Sequence, residues 1–342
     1  MPLTVSTRRK IGKTDLELPV FGFGSAHLGE LFGPVDEAVS RATLDAAWDG
    51  GVRFYDTAPW YGRGLSEHRI GGFLRTKPRG EFQITTKVGR TLHRPKDPAT
   101  FDRDPWKGGL NFEVNFDYSY DGIMRSYEQA LQRLALDTVD ALVIHDLDLQ
   151  YVGDKVESHT RTLADGGMKA LQELKAAGDI KAYGMGINTK ESLEETAQRV
   201  DLDFVIVAMP YTLLDQASLH TGMAACVKRN VSVIIGAPFA SGILATGSRS
   251  GATYGYAAAS EEVQAKVRAI EEVCDAHGVA LPSAAMQFPL AHPAVAAIIP
   301  GAARPEEITA NLASFAKPIP DGFWSDLKAK GLIDADSPVP AA

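Results

Sequence analysis

Short apolar runs alternate with longer helical patterns eight times along this chain, and that rhythm constrains the fold more than any other feature. The runs are VFGFGS, VRFYD, FQITTKV, DALVIH, AYGMGI, DFVIVAM, VSVIIGA and VAAIIP. Strands so continuously apolar are covered on both faces, as in a parallel sheet under helices. Their helical partners are DEAVSRATLDAAWDGG, SEHRIGGFLR, DGIMRSYEQALQRLAL, MKALQELKAAG, ESLEETAQRV, LHTGMAACVKRN, a long stretch from Ser260, and EEITANLASF. Eight β-then-α units imply an α/β fold closed into a (β/α)8 TIM barrel. A doubly wound open sheet is the other arrangement such units build. Gly50-Gly51, Gly178 and Gly278 stand where helix C-termini want a left-handed residue.

With 342 residues, 45% of them hydrophobic, the chain has material for one large barrel. No Ser-, Gly- or Pro-rich linker divides it, so residues 1–342 are expected to form a single domain. Within the N-terminal segment 1–19, KTD separates two short apolar stretches, which predicts a hairpin that plugs or caps the main fold. The tail 337–342, rich in Pro and Ala, is expected to be loose. The net charge of −8, from 43 acids against 35 bases with no basic block, argues against nucleic-acid and anionic-membrane partners. Small substrates that are not polyanionic fit it better. Cys226 and Cys274, far apart, exclude a disulfide framework and a Cys-rich zinc site and suit a reducing cytoplasm. The N-terminus lacks the apolar core of a signal peptide, and no window approaches a membrane span. Neither HExxH nor HxH is present to hold a catalytic metal, and no pattern speaks to oligomeric state.

Barrels build their active face from the loops after the strands. Two such loops, residues 88–119 and 238–259, are long enough to suggest function or a lid. Polar residues at strand ends then converge on one cup: Asp56 with Tyr61 just beyond, Lys87, His145 and Asn188. Each alone reads as structural: Asp56 as a turn cap, Lys87 as a snorkelling side chain, His145 as a hydrogen-bonded strand end. Four on consecutive strands make a chemical set. A phenol, with a reference pKa of about 10, needs a cation beside it to act near neutrality. Lys87 can supply the charge, Asp56 can hold Lys87 in place, and His145 can donate to or orient a substrate oxygen. Such a group moves a proton at an oxygen while something else moves the electrons.

The motifs FYDTAPWYG, ITTKVG, LVIHD and IPGAARPEEITAN resemble the four-part signature of the aldo-keto reductases, and the βα rhythm is similar over nearly the whole chain. The resemblance implies Tyr61 as general acid/base, Lys87 and Asp56 as its tuning pair, and His145 as the substrate-orienting partner, with a nicotinamide cofactor taking hydride. There is no GxGxxG fingerprint. The resemblance instead implies a dinucleotide extended across the barrel mouth. Ser25, Asp56, Asn188 and Ala208 would lie toward the nicotinamide, and the 237–244 loop, with Ala237, Pro238, Phe239, Ser241, Gly242 and Leu244, along the pyrophosphate. Gly301, Arg304, Glu307 and Asn311 would meet the adenosine. Departures from the family pattern fall at Ile187, Ala208 and Gly236. Gly301 and Glu307 replace the basic residues of phosphate-preferring relatives, so NAD is expected over NADP, with Arg304 the contrary sign.

IHDLD, PYTLLDQ, GAPFASGILATG and QFPLAHPAVAAIIPGA look most like the branch that oxidises aldoses at carbon one, L-fucose-type sugars among them, or pyridoxal, to a lactone. His27, Phe32, Trp60 and Trp106 are the candidate substrate residues. Two alternatives stay open: aldehyde reduction with NADPH, and a slow cofactor-binding sensor subunit.

Overall fold

The computed structural model describes residues 3–31 and 33–341. The eight apolar runs become eight parallel strands: β1 (Phe23–Gly24), β2 (Phe54–Asp56), β3 (Gln83–Val88), β4 (Ala141–Ile144), β5 (Ala182–Ile187), β6 (Phe204–Val207), β7 (Ser232–Ile235) and β8 (Val295–Ile298). They pair strictly in chain order. The ring closes where Phe21 bridges Ile298 and Gly24 bridges Gly301, both in parallel sense. Gly22 N–H donates to the Ile298 carbonyl at 2.8 Å, and Ile298 N–H to the Val20 carbonyl at 2.9 Å. Closure leaves no sheet edge, which excludes the doubly wound alternative.

Alternation along the strands divides the apolar residues into two cores. Phe54, Val143, Phe204, Ile206 and Ile234 fill the barrel interior together with Ile11, Leu16 and Leu18. Those last three belong to the antiparallel hairpin of Arg8–Lys10 and Glu17–Pro19, so the expected hairpin is a plug. It sits at the N-terminal ends of the strands, where Gly12 N–H donates to Ser232 Oγ at 2.8 Å. Gly12, at φ 50, is required there, because a Cβ would fall 2.3 Å from the Asp203 carbonyl oxygen.

The opposite strand faces pack against α1 (Glu37–Asp49), α2 (Leu65–Leu74), α3 (Tyr120–Leu134), α4 (Met168–Ala177), α5 (Lys190–Arg199), α6 (Ala224–Arg229), α7 (Leu281–Leu290) and α8 (Pro305–Phe315). Starts are set by side-chain caps: Asp36 accepts from Ala38 N–H, Ser119 from Gly122 N–H and Thr189 from Ser192 N–H. Gly178 and Gly278 end their helices left-handed, at φ 83 and 64. After α1 it is Gly51, at φ 88, that turns the chain, while Gly50 stays at φ −75. The stretch from Ser260 is two helices, Glu261–His277 and then α7.

The tail departs from expectation. Ser337 is 1% exposed and Val339 packs against the main core, so the chain lies against the barrel there without regular structure. A third long connection also follows a strand, residues 145–167, with short helices at Leu149–Val152 and Val156–Thr162. Its helical pieces are too short to register as periodicity. Among the described residues no helix is long and apolar enough to cross a membrane.

Candidate active site

Asp56, the last residue of β2, is level with Thr85 on β3, and Lys87 with Val143 on β4. All three polar groups meet. Lys87 Nζ donates to Asp56 Oδ2 at 2.7 Å and to the Thr57 carbonyl at 2.9 Å, and Thr85 Oγ1 donates to Asp56 Oδ1 at 2.7 Å. Asp56 and Lys87 are 2% and 3% exposed, so the pair is a buried one.

Beyond β2 a tight turn, Tyr61–Gly64, brings Tyr61 back over this pair. Lys87 Nζ lies 4.7 Å from the Tyr61 ring centroid, and the His145 imidazole stands edge-on to that ring at 6.0 Å. Gly62, at φ 63, permits the turn, since a Cβ would meet the Gly29 carbonyl oxygen at 2.7 Å. Burial pushes the Tyr61 phenol well above its ordinary pKa; Asp56, Asp146 and Tyr256 push the same way, and Arg90 opposes them. The resting phenol is therefore protonated. The sequence leads one to expect a phenol drawn down by Lys87, but Asp56 spends that charge at 2.7 Å.

Two further charged groups, absent from the sequence reading, complete the cup. Arg90, 1% exposed, reaches Asp146 Oδ2 at 3.4 Å, with its guanidinium 5.6 Å from the Trp60 ring, 5.0 Å from Phe116 and 5.4 Å from Tyr151. Asp146 also lies 3.2 Å from His145 Nε2 and accepts from Asn188 Nδ2 at 3.0 Å. Burial, with Arg90 close by, holds the His145 imidazole down at about 3. Against the upward pull of burial, the adjacent His145, and after it Arg90 and Lys87, hold Asp146 far below the usual carboxylate range.

The 88–119 loop contributes aromatic wall. Trp106, 2% exposed, packs 5.8 Å from Tyr61 and edge-on to Trp60 at 5.7 Å. The loop is stitched down by Lys107 N–H to the Glu30 carbonyl, Leu110 N–H to the Gly62 carbonyl, and Arg63, which donates to carbonyls of Asp102, Asp104 and Phe112. Within it, Arg90–His93 and Glu113–Phe116 form a hairpin. A cavity of about 560 Å³ opens beside the cup rather than in it, lined by His93, Phe116, Arg125, Tyr151, Lys155 and His159 among others.

Of the residues assigned to the mouth, Asn188, Ala208, Ala237, Phe239, Ser241, Gly242, Gly301 and Asn311 are all half-buried there, around the ends of β5 to β8. Ser241 at φ 68 and Gly242 at φ 125 form a turn, held by Thr253 Oγ1 donating to the Ser241 carbonyl at 2.6 Å. Such a small-residue turn lets a ligand backbone approach closely. Three of the assigned residues lie deeper. Ser25 is fully buried and its hydroxyl is taken by Ser66 Oγ at 2.7 Å; Leu244 is in the core, and Pro238 is buried. Glu307 accepts from Ala303 N–H at 2.7 Å, capping its own helix, and Arg304 beside it is exposed. His27 packs on Gly301, where a Cβ would meet its Nδ1 at 2.4 Å, and feels the Glu307 charge. It thus stands with Gly301, on the short helix Ala26–Gly29 that packs against the Tyr61 turn. Phe32 lies outside the described residues.

The profile of the Aldo/keto reductase family matches residues 20–331. Pyridoxal 4-dehydrogenase of Microbacterium luteolum is 40% identical over 342 residues, spanning 97% of this chain and 100% of that protein. D-threo-aldose 1-dehydrogenase of Pseudomonas sp is 36% identical over 334 residues, spanning 96% and 98%. Among solved structures, the holo form of an aldo-keto reductase from Bacillus halodurans superposes with a TM-score of 0.73 at 23% identity, covering 96% of this chain and 97% of that one. That last likeness concerns the fold alone.

Proposed function

The chain belongs to the Aldo/keto reductase family, and from that premise we propose that it oxidises the hydroxyl of a cyclic hemiacetal, in an aldose such as L-fucose or in pyridoxal, to a lactone with NAD. Oxidoreductase chemistry on a CH–OH group with a nicotinamide cofactor follows from the family and its dehydrogenase relatives. The observation that carries the finer reading is the buried Asp56–Lys87 pair set under Tyr61, opposite His145. The names of the two relatives, a pyridoxal and an aldose dehydrogenase, match its two substrate classes. When bound, the nicotinamide supplies the acceptor for the hydride leaving the hemiacetal carbon.

Everything else falls to the side chains. Tyr61 takes the hydroxyl proton as the carbonyl forms, and positive charge entering the cup is what converts its phenol into a base. Lys87, fixed by Asp56, keeps that position cationic while holding itself rigid between two acceptors. Trp60 and Trp106 exclude water from the reacting oxygen and give a flat face suited to a pyridine or sugar ring. Glu307 and Gly301, in place of basic residues, favour a free 2′-hydroxyl over a 2′-phosphate. The protonated resting phenol favours a second reading, reduction of an aldehyde with NADPH, since such a phenol is already an acid. The two buried free cysteines, Cys226 and Cys274, suit a cytoplasmic protein.

A panel of L-fucose, other aldoses and pyridoxal, each with NAD and with NADP, tests the reading. Lactone formed with NAD on at least one hemiacetal is the expected result. Turnover confined to aldehydes with NADPH would favour the second reading, and cofactor binding without any turnover would make the chain a sensor.

A further inference from the structure

The cavity beside the cup differs chemically from the cup itself. It is walled by the Arg90–His93 and Glu113–Phe116 hairpin, by α3 through Arg125, and by the 145–167 connection. Its volume of about 560 Å³ is that of a small-molecule site. Arg125 and Lys155 line it, and among the described residues neither side chain has an ion-pair or hydrogen-bond partner. The fold makes no use of either charge. The one acid in the lining, Asp117, is already engaged, since Ser119 donates to its Oδ1 through Oγ at 2.6 Å and through N–H at 3.1 Å. Burial first, and Lys155 after it, hold the lining His159 below its ordinary pKa, so at neutrality it offers a ring N–H and no charge. Flat rings supply the rest of the wall. Phe116 is 37% exposed, and His159 lies 6.4 Å from it with the planes 39° apart. Phe116 and Tyr151 also hold the Arg90 guanidinium at 5.0 and 5.4 Å, so cavity and cup share a wall.

We propose that this cavity is a second ligand site, separate from the reaction centre, for a small anion that carries an aromatic ring, an aryl carboxylate or an aryl phosphate. Its anionic group pairs with Arg125 and Lys155, and its ring lies against Phe116 and Tyr151. The guanidinium offers a planar fork of donors that either anion accepts, and the ammonium adds a point charge beside it. Both cations are exposed, so their pull is screened and charge alone holds a bare ion weakly. The aromatic wall supplies what a bare ion cannot use, a face against which a flat ring leaves water. Charge and ring together therefore select the ligand.

Binding is read without turnover, so the test stands apart from the reaction proposed above. The full chain, with NAD or NADP at saturation to fill the barrel mouth, is titrated calorimetrically with phenyl phosphate, benzoate and inorganic phosphate. At least one ring-bearing probe is expected to bind one to one with Kd below about 1 mM, and about tenfold more tightly than inorganic phosphate. The stronger of the two identifies the anion as phosphate or carboxylate. Replacing both cations, Arg125→Ala with Lys155→Ala, is expected to weaken that binding about tenfold or more. Neither side chain has a partner to lose, and Lys155→Glu alone repeats the test should the double variant fold poorly. No ring-bearing probe binding below about 1 mM, or an affinity unchanged by these substitutions, would overturn the proposal. So would inorganic phosphate binding as tightly as the better ring-bearing probe.

Discussion

At residue scale the site depends on who spends whose charge. Burial first, and then the Asp56 charge, keep the Tyr61 phenol protonated, while Lys87 below it is bonded to Asp56. Glu307 shows the same economy at the other end of the mouth, capping α8 through one carboxylate oxygen while its charge faces outward. Glu307→Lys is expected to move the NADP-to-NAD ratio of kcat/KM upward by about five- to tenfold, exposed charge pairs being weak; Glu307→Gln should move it less. An unchanged ratio in steady-state assays would remove Glu307 from the adenosine end. Asp56, Lys87 and His145 were legible in the sequence because each stands at the end of an apolar run, and Tyr61 because it follows Asp56 closely. Arg90 and Asp146 were not. Arg90 follows Gly89 at φ 91 and Asp146 is itself at φ 35, so at both places the chain has left the two-residue alternation that tells which way a side chain faces.

At element scale, the strands and helices followed from pattern, while what clamps them did not. Glu67 on α2 is fully buried, accepts from Thr86 Oγ1 on β3 at 2.7 Å, and pairs with Arg133 on α3. One carboxylate thus ties two helices to the strand that carries Lys87. In SEHRIGGFLR it looks like a solvent-facing helix charge, because a burial partner sixty-odd residues away leaves no local trace. Glu67→Ala strands a guanidinium that is 10% exposed, and is expected to cost about 3–5 kcal/mol by urea unfolding. A loss no larger than that of an ordinary surface change would show the clamp to be dispensable. The loops divide similarly. Their length after strands was visible, but the fastening of Trp106 over Tyr61 runs through Arg63 and backbone carbonyls, to which sequence is blind.

For the whole molecule, closure of the barrel and its hairpin plug were readable from eight repeats and a preceding apolar pair, whereas the packed tail was misread from its Pro and Ala content. The buried histidines set how the folded chain responds to acid. His145 and His292, held at about 3 and about 4 by burial, ionise near 6.5 when unfolded. Between those values the unfolded chain binds protons that the folded chain refuses, so stability is full above pH 6.5 and falls as the pH drops toward 4. The slope is about 1.4 kcal/mol per pH unit for each histidine. Asp146, held low, adds to the loss below its ordinary range. Urea midpoints at pH 7 and pH 5 should differ in that direction; equal midpoints would mean that these imidazoles are not buried as neutral groups.

The central claim is that the Tyr61 phenol carries the substrate proton, and Tyr61→Phe in the hemiacetal panel tests it most directly. With NAD and the substrate the intact chain turns over best, the variant is expected to lose about 10²–10⁴-fold in kcat while its cofactor affinity, read by fluorescence titration, stays within about twofold. Turnover by Tyr61→Phe at the rate of the intact chain would contradict the account.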